Sequence, residues 1–70
     1  MQPGELRRFD DDHHVYPGQV FLVLSVEESG IDPDTQEVET SVTFLVDGNR
    51  EIDWHGGLLE ENSEVVNEAG

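Results

Sequence analysis

Seventy residues make at most one domain with a small core, and the absence of cysteine removes disulfides and thiolate zinc sites as reinforcement. Seventeen acids against three arginines and no lysine give a net charge of −14, which repels phosphate backbones and anionic membranes and excludes direct nucleic-acid binding through clustered cations. No apolar run reaches the roughly 18–20 residues of a membrane helix.

The opening "MQPGELRRFDDD" lacks the apolar core of a signal peptide, so a soluble chain is expected. Within it, "PGELRRF" (3–9) follows a turn signal and reads as a short strand, with Leu6 and Arg8 on one face and Glu5, Arg7 and Phe9 on the other. "DDDHHVYPG" is a polar loop closed by the breaker pair Pro17-Gly18. "QVFLVLSVEE" (19–28) is the clearest strand: Val20, Leu22, Leu24 and Val26 alternate with Phe21, Val23 and Ser25. "SGIDPDTQE" (29–37) reads as a loop, because Gly30 and Asp32-Pro33 favour turns.

"VETSVTFLVDG" (38–48) alternates, with Val38, Thr40, Val42, Phe44 and Val46 on one side. Asp47-Gly48-Asn49 reverses the chain, with Gly48 and Asn49 suited to positive φ, in a turn one residue longer than the simplest hairpin. "REIDWH" (50–55) returns, with Ile52 and Trp54 assigned to the core. After Gly56-Gly57, "LLEENSE" (58–64) is too short for an independent helix and is expected to form one 3₁₀ turn, with Leu58 or Leu59 plugging the core. "SEVV" closes as a last short strand, and "NEAG" reads as a frayed tail.

Strand, polar loop, long strand, acidic loop, hairpin, one helical turn and short strand give the expected fold class. It is all-β, a small SH3-like five-stranded barrel with one short 3₁₀ turn before the last strand. Residues 1–70 form a single domain with a core of about 4–66. In that scheme 10–17 is the RT-type loop and 27–37 the n-Src-type loop. Over most of its length the chain also resembles a group of small bacteriophage proteins frequent in cyanophages. "PGELRRF", "PGQVFLVLSVEE" and "VTFLVDGNREIDWHGGLLEENSEVV" carry the likeness, above all Val46-Asp47-Gly48, Ile52, Trp54, Leu58 or Leu59, and Glu64-Val65-Val66. The long acidic segment 27–37 departs from that group's pattern. The resemblance implies a viral protein working in the host cytoplasm or in the virion.

Asp10, Asp11, Asp12, His13 and His14 are the one cluster of metal-capable side chains, but consecutive residues of an extended loop diverge, and convergence would need His55 or another acid. We read it as a solvated loop and expect no metal and no cofactor. Carboxylates are abundant, yet acid–base catalysis needs one in an apolar pocket. No nucleophile context or phosphate loop is present, so no enzyme is expected.

The charge points instead to a partner protein with a basic surface. The expected contact residues are Asp10, Asp11, Asp12, Tyr16, Glu27, Glu28, Asp32, Asp34, Glu37, Glu39, Glu60 and Glu61, with Glu64 beside them. Three readings follow. The first is an inhibitor of a host nucleic-acid-handling protein that substitutes carboxylates for phosphates. The second is a capsid cement or tail component using segments 1–9 and 63–70 as arms. The third is an SH3-like binder of basic peptides through Tyr16, Pro17 and Trp54, with Phe9 and Tyr16 as exposed contacts.

Overall fold

A computed structural model of the chain describes residues 1–66, so the expected tail at 67–70 lies outside the described residues. Five strands and one helix follow in order: β1 Leu6–Phe9, β2 Val20–Ile31, β3 Val38–Val46, β4 Asn49–His55, α1 Gly56–Glu61 and β5 Ser63–Val65. They make one antiparallel sheet in the order β4-β3-β2-β1-β5. The molecule is all-β apart from α1, and β4 and β5 are the edges of the sheet.

The β3–β4 hairpin has the two-residue turn that Asp-Gly favours. Val46 pairs with Asn49, and Asp47 and Gly48 carry the positive φ values, 48° and 76°. The turn is therefore one residue shorter than expected, and Asn49 already belongs to β4. The sequence-expected loop 29–37 shrinks likewise. β2 and β3 stay paired out to Ile31↔Val38, which leaves Asp32–Glu37 as the connection. Asp32 closes it by donating its N–H to the Glu37 carbonyl (2.9 Å) and accepting from the Gln36 N–H (2.8 Å) and, on Oδ1, from the Asp34 N–H (2.8 Å).

Two bulges meet at one residue. On β2, Val23 pairs with Phe44 and Ser25 with Thr43, so Leu24 is an extra residue. On β4, Glu51 pairs with Phe44 and Trp54 with Val42, so Ile52 and Asp53 together stand opposite Thr43. Asp53 takes φ 61° and accepts a 2.7 Å hydrogen bond from Ser41 Oγ. Each bulge changes the side-chain phase. Val26 thereby joins Phe21 and Val23 on the core side instead of alternating with them. Ile52, assigned to the core by simple alternation, is 64% exposed, while Trp54 packs on the core edge-to-face with Phe44 at 5.0 Å.

The core is Phe9, Phe21, Val23, Val42, Phe44, Val46 and Leu59. Phe9, expected as an exposed contact, is fully buried at its centre, 4.4 Å from the Phe21 ring and 4.2 Å from that of His13. Of the two candidate plugs, Leu59 is buried and Leu58 is exposed. The expected 3₁₀ turn is an α-helical turn instead: the Asn62 N–H donates to the Leu58 carbonyl at 3.0 Å, and Asn62 Nδ2 reinforces it at 2.9 Å. Its start is capped by His55, whose Nδ1 accepts the Leu58 N–H at 3.3 Å. Caps at both ends and the anchor of Leu59 supply what six residues lack alone.

Segment 1–9 is not a free arm either. β1 lies between β2 and β5, and β5 pairs with β1 through Arg7↔Val65 to Phe9↔Ser63. Arg7 is the hidden fastener here, only 7% exposed. It donates from Nη1 to Glu5 Oε1 (2.6 Å), from Nε to Ser63 Oγ (2.9 Å) and from Nη2 to the Ser63 carbonyl (3.2 Å), while Ser63 Oγ donates to the Leu59 carbonyl. A buried guanidinium is tolerated only with its donors engaged, and these contacts tie β1, β5 and α1 together.

Candidate functional site

Beyond Glu27, which stands at its base, the β2–β3 hairpin becomes a two-stranded arm. The last β4 partner of β3 is His55, opposite Ser41, and the last β1 partner of β2 in the ladder is Leu6, opposite Leu22. The molecule measures 37 Å along one axis against 24 Å along the others. It carries Glu27 and Glu28 on β2, Asp32, Asp34 and Glu37 in the connection, and Glu39 on β3. Glu27 and Glu28, the end of the expected strand 19–28 though counted in the n-Src-type loop of the SH3-like scheme, are held in β2, opposite Ser41 and Thr40. With a Debye length of ~8 Å at physiological salt, the fields of carboxylates closer than that add.

Cations are scarce near the arm. No lysine or arginine occurs between Arg8 and Arg50 in the sequence. Arg7 is consumed internally, and Arg8 pairs with Asp11 (2.7 Å) and Glu64 (3.6 Å). Arg50 is exposed and makes no ion pair among the described residues.

The other expected contacts divide into two groups. Asp10, Asp11 and Asp12 are exposed in the β1–β2 loop. There the Asp10 carbonyl accepts the His13 and Gly18 N–H groups (both 3.1 Å), and Asp11 is tied to Arg8. Glu60 and Glu61 are exposed on α1, and Glu60 takes the Met1 ammonium at 3.1 Å. Arm and helix converge on a cleft of about 350 Å³ lined by Met1, Val26, Glu37, Val38, Thr40, Gly56, Gly57 and Glu60. The loop acids share no hydrogen bond or ion pair with the arm acids among the described residues.

Tyr16 is half-buried beside the core. Its hydroxyl donates to Glu51 Oε2 at 2.5 Å, and Trp54 Nε1 donates to Glu51 Oε1 at 3.1 Å. Glu51 therefore engages the polar atoms of both aromatic residues expected to receive peptides. The hydrogen bond to Glu51, partial burial and that carboxylate's charge together push the Tyr16 phenol above its ordinary pKa.

The two informative histidines are structural. His13 Nδ1 accepts the Val15 (3.2 Å) and Tyr16 (3.1 Å) N–H groups, much as an Asx side chain would, and its ring stacks on Phe9. With Nδ1 accepting in both His13 and His55, a neutral ring carries its proton on Nε2. His13 and His55 also line a smaller groove of about 140 Å³ with Trp54, Leu58, Leu59 and Asn62. No group of three or more histidine or carboxylate side chains converges on a metal-sized point among the described residues.

Alternation alone did not reveal one further surface. The register aligns Leu6, Leu22, Leu45 and Arg50 in a row across four strands on the face away from the core, with Val20 and Ile52 exposed on the same side. The signal in the sequence was that β2 is apolar on both faces.

No helix among the described residues is long and apolar enough to cross a membrane. No protein-family model, no curated protein and no solved structure matches the chain.

Proposed function

We propose that the chain is a small, non-enzymatic, phage-type interaction module whose acidic face docks on a basic protein surface, and that it inhibits a host nucleic-acid-handling protein by standing in for phosphate. One observation carries the reading: six carboxylates sit on an arm that carries no lysine or arginine, Glu39 facing the His55 imidazole at 3.7 Å, while two of the three arginines are spent within the fold. Fixed negative charge on a strand scaffold steers a cationic partner and raises its on-rate. The strand order and the paired bulges at Thr43 support an SH3-like, barrel-like reading of the architecture.

The test is displacement of duplex DNA from candidate polymerases, nucleases and nucleoid proteins of the host. Displacement is expected to weaken steeply with salt and in a variant with Glu27, Glu28, Glu37 and Glu39 changed to glutamine. A salt-independent affinity, or an unaffected glutamine variant, refutes the charge mechanism. The open edges of β4 and β5 favour one second reading, a virion component that joins neighbouring sheets. Stoichiometric recovery from purified particles supports it, and absence from particles removes it.

A further inference from the structure

We infer that the open edge of β2, from Ser25 to Ile31, receives an extended lysine- or arginine-bearing segment of a partner protein as an added strand; this rests on the basic-partner reading above. β1 covers β2 only as far as Val23, which donates to the Glu5 carbonyl (2.9 Å) and accepts from the Gly4 N–H (2.8 Å). From there β2 runs on to Ile31, paired with β3 on one side except at the surplus residue Ser29 and without a backbone partner on the other among the described residues. Such an edge is a template for strand addition unless something blocks it.

What blocks it here is selective. Glu27 and Glu28 stand on the edge strand, Glu39 is across from Gly30, and Asp32, Asp34 and Glu37 cap the end. A second copy of this chain would bring like charge against like charge, which disfavours pairing. A basic strand meets the opposite condition at every step.

The two faces of an added strand find different surroundings. Glu27 and Ser41 lie on the outward face, and Glu28 and Thr40 on the inward one. On the inward face the cleft bordered by Glu37 and Glu60 already holds one cation, the Met1 ammonium on Glu60. At the tip Ile31 and Val38 pair with each other at 63% and 54% exposure and offer apolar contact to a residue between the basic ones. The chemistry that fits is an extended segment alternating basic with apolar or β-branched residues.

The experiment uses the full chain and a labelled synthetic peptide alternating lysine with valine and threonine, with its alternate backbone nitrogens free or N-methylated. N-methylation keeps the charge and removes strand hydrogen bonds. The expected result is salt-sensitive binding of the free peptide, binding at least about tenfold weaker after methylation, and new amide-exchange protection within Ser25–Ile31. Equal binding of the two peptides, or protection only elsewhere, overturns strand addition and leaves the basic-partner reading standing. Binding of neither peptide at low salt overturns both. Protection of Ser25–Ile31 in a peptide-free dimer makes the occupant a second copy and overturns the basic one.

Discussion

Replacing Gly56 by alanine probes whether helix α1 is seated against β3 as described. A Cβ at Gly56 would stand 1.9 Å from Thr40 Oγ1, 3.2 Å from Thr40 Cβ and 3.4 Å from Val42 Cγ2. Two effects compete. Alanine is favoured over glycine in a helix by up to about 1 kcal/mol, whereas an added methyl in a packed contact costs about 1–3 kcal/mol. A 1.9 Å approach forces Thr40 to rotate or the helix to lift, so packing wins. The expected loss of about 1–2 kcal/mol lowers the melting temperature by roughly 5–15 °C in a domain this small.

Thermal and urea unfolding followed by circular dichroism measure it. Thr40→Ala removes the nearest atom and is expected to restore most of the loss, with a coupling of about 1 kcal/mol or more in the double-mutant cycle. Gly57→Ala meets only the His55 ring, at 3.1 Å, which must shift by a few tenths of an ångström while still capping α1, so the helix preference of up to about 1 kcal/mol is offset and the change is expected to be near neutral. Gly56→Ala as stable as the parent, or showing no coupling to Thr40→Ala, would refute this packing.

Three more outcomes are expected. The hydrogen bond from Arg7, aided by its charge and opposed by partial burial, holds the Glu5 carboxyl below its ordinary value of 4.5. Its contribution is therefore complete above that value and is lost as pH falls through the lower folded pKa. Glu5→Gln is expected to narrow the stability gap to the parent on acidification, and parallel curves at every pH would discount the pair. Tyr16 is the chain's one tyrosine, so an absorbance titration reports it alone. Its raised pKa means stability held below 10 and lost as pH rises through the folded value, and Glu51→Gln is expected to bring the midpoint down; an unmoved midpoint contradicts the Tyr16–Glu51 bond. His55→Ala is expected to cost about 1 kcal/mol by uncapping α1, with His55→Ser recovering most of it, as read from urea midpoints.

How far the sequence disclosed all this depends on which residues encode local geometry. Asp47-Gly48 in an alternating frame reports a hairpin, and the apolar run from Val20 reports a strand, because turn chemistry and period act over neighbours. Leu24 and Asp53 carry no such mark. A bulge needs no glycine when the surrounding ladder fixes it, so a strict two-residue period carried Ile52 into the core by mistake. Phe9 and Arg7 share a face of β1, and only the docking of β5 and α1 makes that face the interior. The acidic positions of the arm were legible residue by residue. Their display was not, since the ladder passes the surplus residue Ser29 and resumes at Gly30, residues that ordinarily signal a loop.

Thr43 lies on a crease. Because the strands on both sides insert their surplus residue opposite it, the sheet bends there without any strand breaking. Below the crease is the aromatic interior, and above it the acidic arm sets off at its own angle. Deleting Leu24 alone would leave Val26 opposite Val42 and Glu27 opposite Ser41, on the faces they already occupy, and would take the surplus residue, and with it the bend, out of β2. A single unremarkable leucine thus governs how the hairpin leaves the body, while the pairing beyond it decides which side the outside world meets.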